Sequence, residues 1–142
     1  MHSLFSVRRA DWDLDVEKIR GVRETVFVLE QNVPVELEWD GIDVDCAHML
    51  AESPDGSAIG TGRLLPDGHI GRMAVLQAWR GNGVGAKLLL ELVALAAERG
   101  LREVVLNAQT HALGFYELYG FAAFGDEFLD AGIPHRSMRR VF

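Results

Sequence analysis

The period of the apolar and polar positions changes along the chain, and each change marks an element. "LFSVRR", Leu4–Arg9, alternates apolar and polar residues, which predicts a first strand. Asp13, Asp15 and Glu17 then place negative charge where a helix dipole favours it, and Ile19, Val22 and Val26 recur at helical spacing. That helix carries Gly21 inside it and is expected to stop near Asn32 and Pro34. "AHMLAE" and "AIGTGRLLP" predict two strands joined by the turn Ser53–Gly56, and a second turn, Pro66–Gly68, leads into "HIGRMAV", His69–Val75. The strongest helical period is Val84, Leu88, Leu92 and Leu95, running to a C-cap at Arg99–Gly100. "EVVLNA", Glu103–Ala108, predicts a short apolar strand buried on both faces. Thr110–Gly120 predicts a helix capped by Thr110 and stopped by Gly120. "FAAFGDEFL" and "HRSMRRVF" close the chain as a strand pair.

The predicted order is therefore β-α-(α)-β-β-β-α-β-α-β-β, a mixed α/β arrangement with hairpins rather than a repeated βαβ sheet. No repeat or linker-like tract interrupts it, so residues 1–142 are expected to form one domain. Composition changes this picture little: 49% hydrophobic and 25% charged residues are ordinary for a soluble globular chain. Charge excludes more. A net charge of −7 argues against a nucleic-acid partner. The single cysteine, Cys46, excludes an internal disulfide and an all-cysteine metal site, and is expected to be a half-buried free thiol. No stretch is long and apolar enough to cross a membrane, and "MHSLFSVRRADWD" lacks a signal-peptide hydrophobic region. A cytoplasmic protein without a membrane partner is expected.

Candidate chemistry is concentrated in "WRGNGVGAKLLLE", Trp79–Glu91, where Gly81, Gly83 and Gly85 follow an arginine and precede a helix. A nucleoside-triphosphate loop needs Gly-Lys-Ser/Thr, but Lys87 lies between Ala86 and Leu88. A dinucleotide fingerprint fits Gly81, Gly83 and Ala86, yet it also requires an acidic residue at the end of the next strand, where this chain has Asn107. Counting from the arginine gives Arg80-x-x-Gly83-x-Gly85. Unpaired amides at a helix start, with glycines admitting close approach and Arg80 and Lys87 adding positive charge, make an anion site in an acidic protein.

This spacing resembles the GNAT superfamily of acyl-CoA N-acyltransferases. The resemblance covers nearly the whole chain, through "HIGRMAVLQAWRGNGVGAKLL" and "LNAQTHALGFYELYGF". "VFVLEQNVP" and "DAGIPHRSM" narrow it to the ElaA-like branch. It implies a mostly antiparallel central sheet in which two neighbouring parallel strands, His69–Val75 and Glu103–Ala108, splay apart between flanking helices. It implies acetyl-CoA as co-substrate, its pyrophosphate on Arg80, Gly81, Asn82, Gly83, Val84, Gly85 and Ala86. A backbone amide within Met73, Ala74 and Val75, with Val75 the first choice, would polarise the thioester, and Asn107 would hold the pantetheine arm. Tyr116 would touch the cofactor and donate a proton to the departing thiolate. "HIGRMAV" offers no carboxylate as base, which leaves Glu30, His111, His69 and His135 as candidates. The acceptor implied is a primary amine of a small molecule or peptide, with a homodimer as a further expectation. The alternative is a CoA-binding sensor or interaction module with little catalysis. With neither H-x-x-x-H nor C-x-x-C spacing, no metal is expected.

Overall fold

The structure is a computed structural model that describes residues 4–142; the first three residues of the N-terminal stretch lie outside it. Strand β1 (Ser6–Ala10) leads into helix α1 (Trp12–Arg23). Asp11 caps this helix, its carboxylate accepting from the amides of Asp13 and Leu14 at 3.0 and 3.2 Å. Asp15 stands in the first turn as expected and also turns inward to accept from Arg8 at 2.8 and 2.9 Å, which lowers its carboxyl to about 2. α1 continues without interruption into a π-wound segment, Glu24–Glu30, whose wide turns show in Gln31 N donating to Val26 O at 3.1 Å. Asn32, at φ +59°, ends it.

A short helix α2 (Val35–Glu38) follows, and then strands β2 (Ala47–Glu52), β3 (Ala58–Leu64) and β4 (Ile70–Val75). These form an antiparallel sheet in the order β1-β2-β3-β4. Helix α3 (Val84–Glu98) covers one face with the fully buried Val84, Leu88, Leu89 and Leu92. It packs so closely that a Cβ on Gly62 of β3 would come within 2.9 Å of Leu92 Cδ1. On the opposite face Val22 and Val26 pack against Ala74. Among the described residues no helix is long and apolar enough to cross a membrane.

Strand β5 (Glu103–Gln109), helix α4 (Leu113–Glu117), and strands β6 (Ala122–Asp130) and β7 (Ile133–Val141) complete the chain, the strands forming a second antiparallel sheet in the order β5-β7-β6. The two sheets meet at the foot of β4, where Val105 N donates to Gly68 O at 3.1 Å and His69 pairs in parallel with Val105. Beyond that point β4 and β5 diverge. A bulge bends β4 here: Thr61 stands opposite Ala74 and Arg63 opposite Gly71, so Gly62 faces both Arg72 and Met73. Arg72 takes the left-handed conformation, φ +49°.

Two local expectations are corrected. β5 is not buried on both faces: Val104, Leu106 and Ala108 are buried, whereas Val105 is half-buried and Asn107 exposed, because the divergence from β4 leaves that face uncovered. Thr110 does not cap a helix. It opens a 3-10 turn, Thr110–Ala112, and α4 begins after it with no side-chain cap, though Gly120 at φ +87° does end the segment.

Candidate active site

The loop between β4 and α3 is fixed by its own polar groups. Leu76 N donates to Ile59 O at 2.9 Å, and a 3-10 turn, Gln77–Trp79, follows. Asn82 Nδ2 donates to the carbonyls of both Trp79 and Arg80 at 3.2 Å. Gly81 and Gly83 sit at φ +81° and +84°, a conformation that costs an L side chain about 1–2 kcal/mol. Lys87 N makes the first intrahelical donation, to Gly83 O at 3.0 Å, and no side chain caps the helix. The amides of Val84, Gly85 and Ala86 therefore face outward, the arrangement that binds anions. Gly85 has ordinary helical φ, and an added Cβ would meet only Val75 Cγ2 and Phe115 Cζ at 3.7 and 3.8 Å. Nothing within the protein demands a glycine there, although it costs roughly 0.5–1 kcal/mol against alanine. Lys87 is paired with Glu91 at 2.8 Å.

Arg80 is held from two sides. Its Nη1 and Nη2 donate to the Glu30 carboxylate at 2.6 and 2.8 Å, and its Nε donates to Val75 O at 3.0 Å. Three of its five N–H donors are thus engaged, leaving one on each terminal nitrogen. The guanidinium holds Glu30 below the usual carboxylate range, so Glu30 is ionised at neutral pH. Leu76 N points to β3, and strand alternation then turns the N–H of Val75 toward the open edge of β4.

Between the diverging strands lies a half-open cavity of about 420 Å³. Met73 of β4, Asn107 of β5 and Tyr116 of α4, three of the residues singled out above, meet on its wall. Burial pushes the Tyr116 phenol above its ordinary value, so it stays protonated at neutral pH. Its ring meets Phe115 edge-on at 5.0 Å. Asn107 Oδ1 accepts from Ser137 Oγ at 2.9 Å, which orients the side chain and leaves its NH2 group as donor.

The base candidates separate. Glu30 is paired with Arg80 at the loop. His111 is exposed at the cavity rim, where its Nε2 donates to Gln109 Oε1 at 2.7 Å while Gln109 Nε2 donates to Gln31 Oε1 at 2.9 Å. His69 lines the foot of the cavity but is tied to Asp67 at 3.0 Å. His135 is buried and lines the cavity; its Nδ1 donates to Ile133 O at 2.7 Å, so in the neutral ring the lone pair lies on Nε2.

The far end of the cavity holds groups that sequence patterning did not single out. Arg23 of α1 donates to Glu38 Oε1 at 2.6 Å and to Asp43 Oδ1 at 2.7 Å. Arg63 of β3 donates to the same Asp43 oxygen at 2.8 Å and to Asp40 Oδ2 at 2.6 Å. Trp39 covers Arg23 with its ring centroid at 4.5 Å. Arg72 stands at the cavity edge of this cluster. The one sequence signal was Arg63 itself, a charge inside an apolar strand, which needs a buried partner.

Comparison with known proteins identifies the family and the fold. The acetyltransferase (GNAT) domain matches residues 20–142. An uncharacterized N-acetyltransferase of Bacillus subtilis, YjcF, is 41% identical over 123 residues, 84% of this chain and 87% of that protein. An acyl-CoA N-acyltransferase from Pseudomonas aeruginosa superposes with a TM-score of 0.84 at 34% identity, covering 98% of this chain and 99% of its own. Escherichia coli ElaA gives 0.85 at 28% identity over 96% and 99%. The chain belongs to the GNAT acetyltransferase family.

Proposed function

We propose that the protein transfers an acetyl group from acetyl-CoA to a primary amine of a small molecule or peptide, by direct attack within a ternary complex. One observation carries this reading: a helix start with outward amides and a braced arginine follows strand β4, whose Met73 shares a cavity with the half-buried, protonated Tyr116. The residues fit the cofactor. The space beyond Gly85, which no internal contact requires to be glycine, admits a pyrophosphate close to the amides of Val84, Gly85 and Ala86. The two free N–H groups of Arg80 supply charge-assisted donors beside them. Met73 on β4 and the NH2 of Asn107 line the cavity proposed for the pantetheine arm, and Val75 lies two residues further along the same strand.

Acetyl-CoA, when bound, supplies an activated acyl thioester. The Val75 N–H steadies the negative charge that develops on the acyl oxygen, and a donor of this kind is worth roughly 3–4 kcal/mol. His135 Nε2 accepts the proton that the amine loses as its nitrogen bonds to carbon. Tyr116 gives its phenolic proton to the sulfur as the carbon–sulfur bond breaks. Glu30, in this account, braces Arg80 and moves no proton.

Free-thiol release from acetyl-CoA over a broad amine panel tests the reading. We expect turnover with the native chain, a large loss with Tyr116→Phe and His135→Asn, and retained turnover with Glu30→Gln. Tight acetyl-CoA binding without thiol release from any amine would leave a binding module instead.

A further inference from the structure

Among the arginines of the buried cluster, Arg72 is held differently. Each neighbouring carboxylate has a closer partner elsewhere: Glu38 takes Arg23 at 2.6 Å, Asp40 takes Arg63 at 2.6 Å, and Asp43 takes Arg23 and Arg63 at 2.7 and 2.8 Å. Arg72 makes only long contacts, from Nη2 to Leu37 O and Asp40 Oδ2 at 3.3 Å and from Nε to Glu38 Oε2 at 3.5 Å. Among the described residues its Nε, like that of Arg63, is enclosed without a hydrogen-bond partner, a state that buried polar atoms seldom occupy without cause; unlike Arg63, Arg72 has no short contact from its terminal nitrogens either. Its backbone sits at φ +49°, a strained position for a long side chain. The carboxylates at its back are 2% exposed at Glu38 and 30% at Asp40, whereas its own side chain is 27% exposed on the cavity wall. A ligand entering that end meets a guanidinium braced from behind by acids that other arginines already compensate.

We propose that Arg72 is the specificity residue of the acceptor site and that it receives a carboxylate carried by the amine substrate, so that the acceptor class is amino acids or peptides rather than simple amines. The proposal rests on the acyltransferase reading above and names the acceptor of that same cavity. The planar fork of an arginine matches a carboxylate through two parallel hydrogen bonds, which its present partners do not use. The cavity offers the complementary end as well. Met73 follows Arg72 directly on β4, and Val75, whose amide the account assigns to the acyl oxygen, lies three residues on, roughly 10 Å along the strand. A side chain at the bulge and a short acceptor together bridge that distance. The apolar Phe27, Val33, Leu65 and Ile133 line the rest of the cavity and would take an aliphatic or aromatic body.

Matched pairs test this: phenylalanine against phenethylamine, a dipeptide against its C-terminal amide, and phosphoethanolamine against ethanolamine. Each is titrated calorimetrically into the native chain, with and without CoA, alongside Arg72→Gln and Arg72→Lys, and thiol release is read in parallel. The expected result is about ten- to hundredfold tighter binding of the carboxylated partner, the range of hydrogen bonds to charged groups. Arg72→Gln should reduce this preference to within about threefold and Arg72→Lys should keep part of it, with acetyl-CoA affinity unchanged in both. A native chain that binds both members equally, or binds neither, overturns the proposal. So does a preference that survives Arg72→Gln, or one confined to the phosphorylated amine. Failure of acetyl-CoA itself to bind would instead count against the acyltransferase reading, and the two failures are separable.

Discussion

Two arginines, Arg80 in the loop before α3 and Arg72 on the cavity wall, are held in opposite ways. Arg80 belongs to a short local motif, is fixed by a bidentate carboxylate and a carbonyl, and lies near the surface. Arg72 lies upstream of that loop on β4, sits at a strained bulge, and touches its neighbours only at long range. The first is a pre-set group whose remaining donors face a loop of free amides. The second is an under-used group backed by a buried network of Arg23, Arg63, Glu38, Asp40 and Asp43. Cofactor sites can be built from a few neighbouring residues because helix ends supply the geometry. The far cluster has to be assembled from α1, α2, the Asp40–Asp43 segment, β3 and β4, so it draws on residues distant in the chain.

The comparison can be broken by removing one support in each region. Arg23→Ala leaves the buried Glu38 with only the 3.5 Å contact from Arg72 and Asp43 with only Arg63, and should cost about 3–5 kcal/mol in chemical denaturation. Arg80→Ala removes a half-exposed pair and should cost no more than about 1 kcal/mol. Equal losses would mean the far cluster is not the structural keystone described. Within the cavity, Tyr116→Phe should lower kcat by on the order of 100-fold with little change in acetyl-CoA affinity, measured by thiol release and calorimetry. Glu30→Gln should leave kcat within about threefold; a loss near that of Tyr116→Phe would make Glu30 a proton acceptor after all.

Smaller effects sharpen the loop. Gly83→Ala places a side chain at φ +84° and should destabilise by about 1–2 kcal/mol, whereas Gly85→Ala at ordinary helical φ should be neutral or stabilise by about 0.5–1 kcal/mol. If both destabilise alike, Gly85 serves packing rather than ligand approach. The smallest effect concerns acid. Arg63 holds Asp40 at about 2, so the stabilisation from this pair is fully present above the unfolded value, near pH 4, and is lost as pH falls through the folded one. Denaturation midpoints followed from pH 5 to pH 2 should fall, and Asp40→Asn should flatten that fall.

The sequence was legible where chemistry and spacing are local. The order of strands and helices, the glycine loop and its arginine, and the FYELYGF segment that places Tyr116 could all be read from neighbours in the chain. Long-range pairing hid the rest. Glu30 meets Arg80 across 50 residues and Gln109 meets Gln31 across 78, and no periodicity encodes either contact. The exposure of Asn107 follows from the divergence of β4 and β5, which the apolar run of "EVVLNA" does not reveal. Asp15 illustrates the same limit at short range. Its place in the first helical turn could be read, but its pairing with Arg8 at 2.8 and 2.9 Å across the β1–α1 turn could not.

The central claim is that the Arg80 loop and the α3 amides bind the pyrophosphate of acetyl-CoA. Calorimetric titration of acetyl-CoA into the native chain and into Arg80→Glu tests it most directly. Tight binding by the native chain, weakened at least tenfold by the substitution while the melting temperature holds, is the predicted result. Equal affinity in the two proteins would contradict it.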